Sequence, residues 1–115
     1  MGTTYIDKVL DATEHQESSS ALRITSEVDR VYQSVKQDTT SILEGGKSRL
    51  DIIRDNLVDT VVWNPWREKA AGMSDFAPAD GYKNMICVEV GCVNGWQKLE
   101  GGETYEAGQL IRASL

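Results

Sequence analysis

Glu89 stands in the most apolar stretch of the 115-residue chain, residues 84–93 (NMICVEVGCV), and its type and setting suit proton transfer. If this stretch is a strand, the face of Glu89 also holds Met85, Cys87 and Gly91, and the other face holds Ile86, Val88, Val90 and Cys92. Both faces are largely apolar, which is typical of a central strand. A carboxylate is costly to bury without a partner or a task, and burial raises its pKa towards the range useful for acid–base chemistry. The alternative is a solvated Glu89 at a strand end or sheet edge, and the pattern alone leaves both open.

Asp29 follows a change in the alternation of apolar residues. One parity holds Leu22, Ile24 and Val28, and the opposite parity holds Val31 and Val35. Such a switch predicts a β-bulge or a short connection near residues 28–30, and bulges often re-aim side chains at functional sites. Asp29 is therefore a candidate for contact with a ligand. The alternative is that Asp29 and Arg30 form a polar pair on the sheet surface.

Two tryptophans, Trp63 and Trp66, flank the dipeptide Asn64-Pro65. A rigid turn there would fix both rings, and aromatic faces can stack on the C–H surfaces of a sugar. Aromatic residues at strand positions also serve simple core or edge packing, so this segment stays open between the two uses.

Other kinds of site find little support. The Gly-rich nucleotide loops are missing, and no Ser/His/Asp set with a second histidine exists. The single histidine, His15, lies in the polar segment 11–20, which we expect to be a mobile loop, and two cysteines are too few for a zinc site. We expect neither a metal nor a cofactor.

The composition limits the classes of binding partner that we expect. A net charge of −6 argues against broad electrostatic binding to nucleic acid or to an anionic membrane, although a few placed cations could still bind an anionic phosphate. No apolar run is long enough to span a membrane, and the first residues lack the features of a secretory signal. A cytoplasmic protein is expected.

Period-two alternation and turn residues predict an all-β chain with one short helix. We expect strands over 4–10, 22–35, 59–63 and 84–93, and a hairpin of 39–43 and 49–53 around Gly45-Gly46. A second Leu-Glu-Gly-Gly turn at 99–102 precedes expected strands at 103–107 and 109–113. Residues 66–73, after Asn64-Pro65, supply the helix.

Four blocks carry a resemblance to a known family. They are residues 25–32 (TSEVDRVY), 59–76 (DTVVWNPWREKAAGMSDF), 84–91 (NMICVEVG) and 99–113 (LEGGETYEAGQLIRA). In order and spacing they resemble the C-terminal part of hexose-6-phosphate mutarotases (glucose-6-phosphate 1-epimerases) of the aldose 1-epimerase family. The combination of Trp-Asn-Pro-Trp with a later Cys-Val-Glu is specific.

The resemblance implies a partial galactose-mutarotase-like β-supersandwich, with residues 1–115 as the C-terminal portion of one domain whose N-terminal half is missing. It implies an isomerase that interconverts the α and β anomers of hexose 6-phosphates. Glu89 would be the general base and Asp29 would hold sugar hydroxyls, and Asn64 and Trp66 are expected to contact the substrate. The family's acid histidine and phosphate-binding arginines lie N-terminal to the matched region, and His15 matches no family motif. We therefore expect the chain alone to be inactive and to self-associate through exposed sheet edges; the alternative is a non-catalytic carbohydrate-binding β-sandwich module.

Overall fold

The computed structural model describes residues 3–114, which form two antiparallel sheets, one short α-helix and one 3₁₀ turn. The elements in chain order are β1 Thr4–Asp7, β2 Thr13–Gln16, β3 Val28–Tyr32, β4 Thr39–Glu44, β5 Lys47–Asp55, β6 Asp59–Asn64, α1 Trp66–Ala71, the 3₁₀ turn Gly81–Asn84, β7 Cys87–Gly91 and β8 Gly108–Ala113. The predicted all-β architecture with one short helix is confirmed.

The larger sheet has five strands in the order β2-β1-β3-β6-β7, all antiparallel. Its buried apolar residues are Tyr5, Val28, Val31 and Val62, and Ala70 of α1 and Tyr82 of the 3₁₀ turn are buried as well. Burial of these side chains supplies the main hydrophobic stabilisation of the described chain.

The smaller sheet has the order β4-β5-β8. Its β4–β5 hairpin turns at Gly45 and Gly46, whose φ angles of +60° and +80° suit a two-residue turn that only glycine adopts at little cost. Ile52 is its one buried apolar residue among residues 3–114, whereas Leu110 and Ile111 of β8 are 60% and 56% exposed. The hairpin was predicted correctly, but this sheet has almost no core of its own.

Arg54 links the two sheets. It is a buried residue of β5, and its guanidinium donates to Thr60 Oγ1 of β6 at 2.5 Å while its Nε donates to the carbonyl of Gln37 at 3.0 Å. Burial lowers the pKa of Arg54, partly offset by the charges of Asp38 and Asp59. A hydrogen bond from a buried charged side chain therefore joins the two sheets.

Strand pairing explains two of the differences between the predicted elements and the structure. Segment 11–20 is not a mobile loop: Thr13–Gln16 form β2, which pairs with β1 and stacks the ring of His15 on Tyr5 at 5.4 Å. An edge strand depends on backbone pairing more than on an apolar face, so the polar sequence of β2 gave no signal of a strand. Residues 22–27 are not a strand, and the switch in parity marks the start of β3 at Val28 rather than a bulge.

The strand with Glu89 also differs. It is shorter than predicted, Cys87–Gly91, and it lies at the edge of the five-stranded sheet rather than in its middle. Residues 103–107 form no strand, while β8 at Gly108–Ala113 matches the last predicted strand.

The chain is less compact than a complete domain of its size. Its radius of gyration is 15.6 Å, where about 13 Å is usual for this length. Its accessible surface is 8271 Å², where a compact protein of 12.7 kDa exposes about 6200 Å². The chain therefore exposes roughly 2000 Å² more surface than a compact protein of its mass.

Candidate functional site

Strand pairing brings Asp29, Trp63 and Glu89 onto one face of the larger sheet. Asp29 lies opposite Trp63, and Trp63 lies opposite Cys87, so these three side chains share a face. Val31, Val61 and Glu89 form the next row of the same face, two residues further along. We call the face defined by Asp29, Val31, Val61, Trp63, Cys87 and Glu89 the Glu89 face.

Glu89 is exposed, in the middle of β7. Within residues 3–114 its carboxylate has neither a hydrogen bond nor an ion pair, so both oxygens are free to accept a proton. Burial and the negative charge of Glu89 together raise the pKa of the Cys87 thiol. The structure thus gives the solvated edge position that the pattern had left open as the alternative to a buried one.

Asp29 is half-buried in β3, and its carboxylate likewise has no side-chain partner among the described residues. Ideal strand spacing puts the Cα atoms of Asp29 and Glu89 about 12 Å apart, two strands across and two residues along. Lys8 is the basic residue in register with Asp29; its backbone N–H donates to the Asp29 carbonyl at 2.8 Å, but no ion pair joins their side chains within residues 3–114. Two free carboxylates therefore flank the half-buried ring of Trp63.

Asn64 lies on the opposite face, opposite Val28, and is only 1% exposed. Its amide nitrogen donates to the carbonyls of Tyr82 and Met85 at 2.9 and 3.0 Å, and its amide oxygen accepts from the backbone N–H of Trp66 at 2.8 Å. These bonds give Asn64 a structural role at the start of α1. Direct contact of Asn64 with a substrate stays a prediction, and it would require these bonds to open.

Trp66 has an unusual backbone. Its φ of +59° lies in the left-handed region, which is strained for a bulky residue, and the bond from its N–H to Asn64 helps to hold it there. Its half-buried ring packs edge-on against Tyr82, with ring centroids 4.9 Å apart. The described contacts of Trp66 are with Asn64 and Tyr82, so its predicted contact with a substrate stays a prediction.

Asp59 is a buried carboxylate that the sequence did not single out. It is 1% exposed and accepts three backbone N–H groups: that of Ser34 at 3.0 Å, and those of Val93 and Asn94 at 2.8 Å each. Ser34 follows β3 and Val93 follows β7, so one side chain ties together the ends of the strands that carry Asp29 and Glu89. The only sequence signal was an acidic residue at the start of a strong strand.

His15 belongs to the other face of the sheet. Its row runs through Tyr5, Tyr32 and Thr60 to Val90, the neighbour of Glu89 that points the opposite way. Arg30 covers the Tyr5 ring at 4.4 Å and lies 3.6 Å from both Asp7 and Glu17. This cluster stabilises the pairing of β1, β2 and β3, and the sheet separates its histidine from Glu89.

Residues 3–114 show few features of a metal site, a membrane span or a second ligand site. Among residues 3–114, no group of three or more His, Cys, Asp and Glu side chains could hold a metal ion, and no helix is long and apolar enough to cross a membrane. A shallow, open depression lined by Asp55, Asn56, Thr104 and Glu106 lies away from the Glu89 face, and its lining includes no cation.

Comparison with known proteins identifies the family. The model of the family described as "Aldose 1-epimerase" matches residues 2–112. A protein of Cenchrus ciliaris named "Putative glucose-6-phosphate 1-epimerase" is 37% identical over 101 residues, which cover 88% of this chain and 30% of the relative. An Escherichia coli protein of the same name is 30% identical over 115 residues, which cover 99% of this chain and 38% of the relative.

A solved structure agrees with these matches. The Salmonella typhimurium protein described as a "putative mutarotase (YeaD)" superposes with a TM-score of 0.69 at 32% identity, over 77% of this chain and 30% of that chain. The predicted mutarotase-like fold is confirmed, and the chain spans between 30% and 38% of the length of these relatives. The chain belongs to the aldose 1-epimerase family.

Proposed function

We propose that this chain provides the base-bearing part of a glucose-6-phosphate 1-epimerase active site, which interconverts the α and β anomers of hexose 6-phosphates. The observation that carries the proposal is the placement of Asp29 and Glu89 on one face of the sheet, with Trp63 on the strand between theirs. Neither carboxylate has a side-chain partner within residues 3–114. Free carboxylates beside an aromatic ring suit a sugar, because they accept hydrogen bonds from hydroxyls while the ring covers C–H groups.

Glu89 acts as the general base. It removes the proton from the anomeric hydroxyl while an acid protonates the ring oxygen, so that the bond between the anomeric carbon and the ring oxygen breaks and the open aldehyde forms. Rotation about the adjacent carbon–carbon bond followed by reclosure, with the proton transfers reversed, gives the other anomer. Asp29 holds sugar hydroxyls through charge-assisted hydrogen bonds and fixes the sugar relative to Glu89.

The acid must come from polypeptide beyond this chain's Glu89 face. The one histidine, His15, is on the opposite side of the sheet, and the paired positions of the Glu89 face include no Lys, Arg or His. Lys8, just after β1, lies in register with Asp29 rather than with Glu89. The same lack means that cations for a 6-phosphate must also come from outside these paired positions. The 6-phosphate specificity rests on the relatives' names and on the resemblance of the sequence blocks. The chain alone should therefore accelerate anomer exchange little or not at all.

A chimera tests the chemistry without relying on assembly. The Escherichia coli relative is produced with its matched region replaced by this chain, and the exchange between the α and β anomers of glucose 6-phosphate is followed by NMR exchange spectroscopy. Loss of a general base typically costs 10²–10⁴-fold, so Glu89→Gln should slow exchange by about that factor. Asp29→Asn should raise KM more than it lowers kcat.

Glu14→Gln is the matched control. Glu14 lies on the same face and in the same row as Glu89, but at the far side of the sheet in β2, and it undergoes the same change of charge. Its exchange rate should equal that of the unsubstituted chimera. Equal rates for Glu89→Gln and Glu14→Gln in a folded, active chimera would remove Glu89 from the base role.

The second candidate is a non-catalytic carbohydrate-binding module. It is favoured because the Glu89 face combines a proposed base, Glu89, with a group that could hold sugar hydroxyls, Asp29, but includes no acid. Its signature is binding of glucose 6-phosphate to the chain alone, seen as a change in tryptophan fluorescence that Asp29→Ala abolishes, together with a folded chimera that shows no anomer exchange.

A further inference from the structure

The asparagines of the chain differ in the residue that follows each of them. They are Asn56, Asn64, Asn84 and Asn94, and they precede Leu, Pro, Met and Gly in that order. The backbone nitrogen of the next residue can attack the Cγ atom of an asparagine side chain. A side chain on that next residue hinders the attack and proline has no N–H to give up, whereas glycine imposes neither obstacle. By sequence, Asn94-Gly95 is therefore the most reactive of these pairs.

The structure leaves this pair unrestrained. Asn94 lies three residues after the end of β7, and both Asn94 and Gly95 are exposed. Gly95 has a φ of +100°, and a Cβ atom added to it would meet nothing within 4 Å. Within residues 3–114, neither the side-chain amide of Asn94 nor the N–H of Gly95 has a hydrogen-bond partner. The nitrogen and the Cγ atom are therefore free to approach each other.

The other asparagines are restrained or hindered. The amide nitrogen of Asn56 donates to the carbonyl of Glu106 at 2.8 Å. Asn64 is 1% exposed and its amide makes three hydrogen bonds. Asn84 is exposed, but it ends the 3₁₀ turn and precedes the long side chain of Met85. Burial, bonding or a bulky neighbour therefore opposes the attack at each of these sites.

The pair Asp80-Gly81 provides an internal contrast, because an aspartate can close the same ring with loss of water. The N–H of Gly81 donates to the carbonyl of Pro78 at 2.9 Å. A Cβ atom at Gly81 would lie 3.4 Å from the side chains of Phe76 and Pro78, so this glycine is closely packed. The fold thus holds the attacking nitrogen at residue 81 and leaves it free at residue 95.

The unrestrained pair lies next to the carboxylate that fixes the end of β7. The N–H of Asn94 donates to Asp59 Oδ2 at 2.8 Å, and so does the N–H of Val93. The Asp59 side chain is buried, with 1% of the residue exposed. A negative charge gained at residue 94 would arise beside this buried carboxylate, and the repulsion between like charges would weaken the contact.

We propose that Asn94 is a site of spontaneous deamidation, and that the charge it gains loosens the end of the strand that carries Glu89. The Gly95 nitrogen forms a bond to Asn94 Cγ, and the bond from Cγ to the amide nitrogen breaks. The amide nitrogen leaves as ammonia with the proton from Gly95. Water then opens the succinimide at either of its carbonyls and gives aspartate or isoaspartate.

This modification needs water alone as a reactant. Each event adds one negative charge to a chain whose net charge is −6. Isoaspartate also lengthens the main chain by one methylene group directly after the residue that bonds to Asp59. The inference does not depend on the proposed epimerase activity, because it concerns the chemistry of the chain itself.

The test ages the purified full chain at mildly alkaline pH and follows each asparagine by peptide mapping with mass spectrometry. Conversion at Asn94 should be at least about 10-fold faster than at Asn84, because no side chain hinders the Gly95 nitrogen. Asn94→Gln should abolish conversion at this position, since a ring with one more atom closes far more slowly. Asn84→Gln is the matched control and should leave the rate at Asn94 unchanged.

Unfolding in urea separates the effect of sequence from that of the fold. Asn94 should react at a rate within about 3-fold of its rate in the folded chain, because the native turn does not hold the Gly95 nitrogen. Conversion at Asn56 and isomerisation at Asp80 should accelerate at least about 10-fold, because unfolding releases the groups that native hydrogen bonds hold.

A substitution tests the consequence for β7 directly. Asn94→Asp introduces the charge without ageing, and amide hydrogen exchange at Ser34 and Val93, whose N–H groups also bond to Asp59, should become at least about 3-fold faster. Asn84→Asp adds the same charge near the opposite end of β6 and should leave both exchange rates unchanged.

Two results would overturn the proposed site: conversion at Asn94 no faster than at Asn84, or conversion at Asn94 more than about 10-fold slower in the folded chain than in urea. Unchanged exchange at Ser34 and Val93 in Asn94→Asp would overturn the proposed effect on β7. None of these readouts uses catalysis, so their failure is distinct from failure of the proposed epimerase chemistry in the chimera.

Discussion

Replacing Asp59 by alanine should destabilise the chain more than any single loss of an apolar side chain at its surface, because three backbone N–H groups lose their acceptor together. The bonds from Ser34, Val93 and Asn94 measure 3.0, 2.8 and 2.8 Å, and the carboxylate is 1% exposed. Hydrogen bonds to charged groups contribute about 1.5–3 kcal/mol each. Water can reach the three donors in part, so we expect a total loss of about 3–5 kcal/mol rather than the full sum.

Asp59→Asn should fall between alanine and wild type. The amide oxygen can still accept from Val93 and Asn94, but the amide nitrogen then faces the N–H of Ser34, and one bond is replaced by a contact between two donors. A loss of about 1–3 kcal/mol is expected. Asp75→Ala is the control, because Asp75 is exposed in a loop, and its effect should stay within about 0.5 kcal/mol.

Urea unfolding followed by far-ultraviolet circular dichroism measures the three free energies of unfolding. Hydrogen exchange at Ser34, Val93 and Asn94 localises the effect, since these amides should exchange faster in Asp59→Ala even under native conditions. A loss below about 1 kcal/mol with unchanged exchange at all three amides would refute the view that this carboxylate fixes the ends of β3 and β7.

Three further predictions concern single contacts. Burial and a hydrogen bond to Glu17 raise the pKa of Tyr32 from 10.0 to about 12. The stability that the neutral phenol contributes is therefore present below pH 10.0 and is lost as the pH rises to about 12. Ultraviolet titration of Tyr32→Phe should lack the last phenolate step. Glu89→Gln removes one of the two causes that raise the pKa of the Cys87 thiol. In a variant without the other cysteine, Cys87 should therefore react faster with a disulfide reagent near neutral pH. An unchanged rate would contradict an effect of the Glu89 charge on Cys87. Asn64→Asp should lower the urea midpoint at least as much as Asn64→Ala, because a carboxylate oxygen would face the two carbonyls to which the amide nitrogen now donates. The N–H of Trp66 keeps its acceptor in the Asp variant. A smaller effect of Asn64→Asp than of Asn64→Ala would argue against the two bonds to the carbonyls.

The local alternation of residues was enough to predict several features. The parity of residues 84–93 placed Cys87 and Glu89 on one face, and the pairing of β6 with β7 is consistent with it. The glycine pair at 45–46 located the hairpin, because only a residue without a side chain adopts those φ angles freely. The blocks around Trp-Asn-Pro-Trp and Cys-Val-Glu indicated the family that the comparisons identify.

What the sequence could not decide depends on which strands become neighbours. Asp29 and Glu89 are 60 residues apart, and only the order β3-β6-β7 brings their strands to either side of Trp63. The edge position of β7 was not visible, because an apolar strand has the same sequence whether or not a further strand covers it.

Asn64 and His15 show the same limit. The sequence alone established an all-β member of this family with a carboxylate in an apolar strand. The tertiary structure decided that Asn64 is a buried structural amide, that His15 sits across the sheet from Glu89, and that the β7 edge is open. Those properties arise from contacts between segments distant in sequence, which residue types and spacing along one strand do not encode.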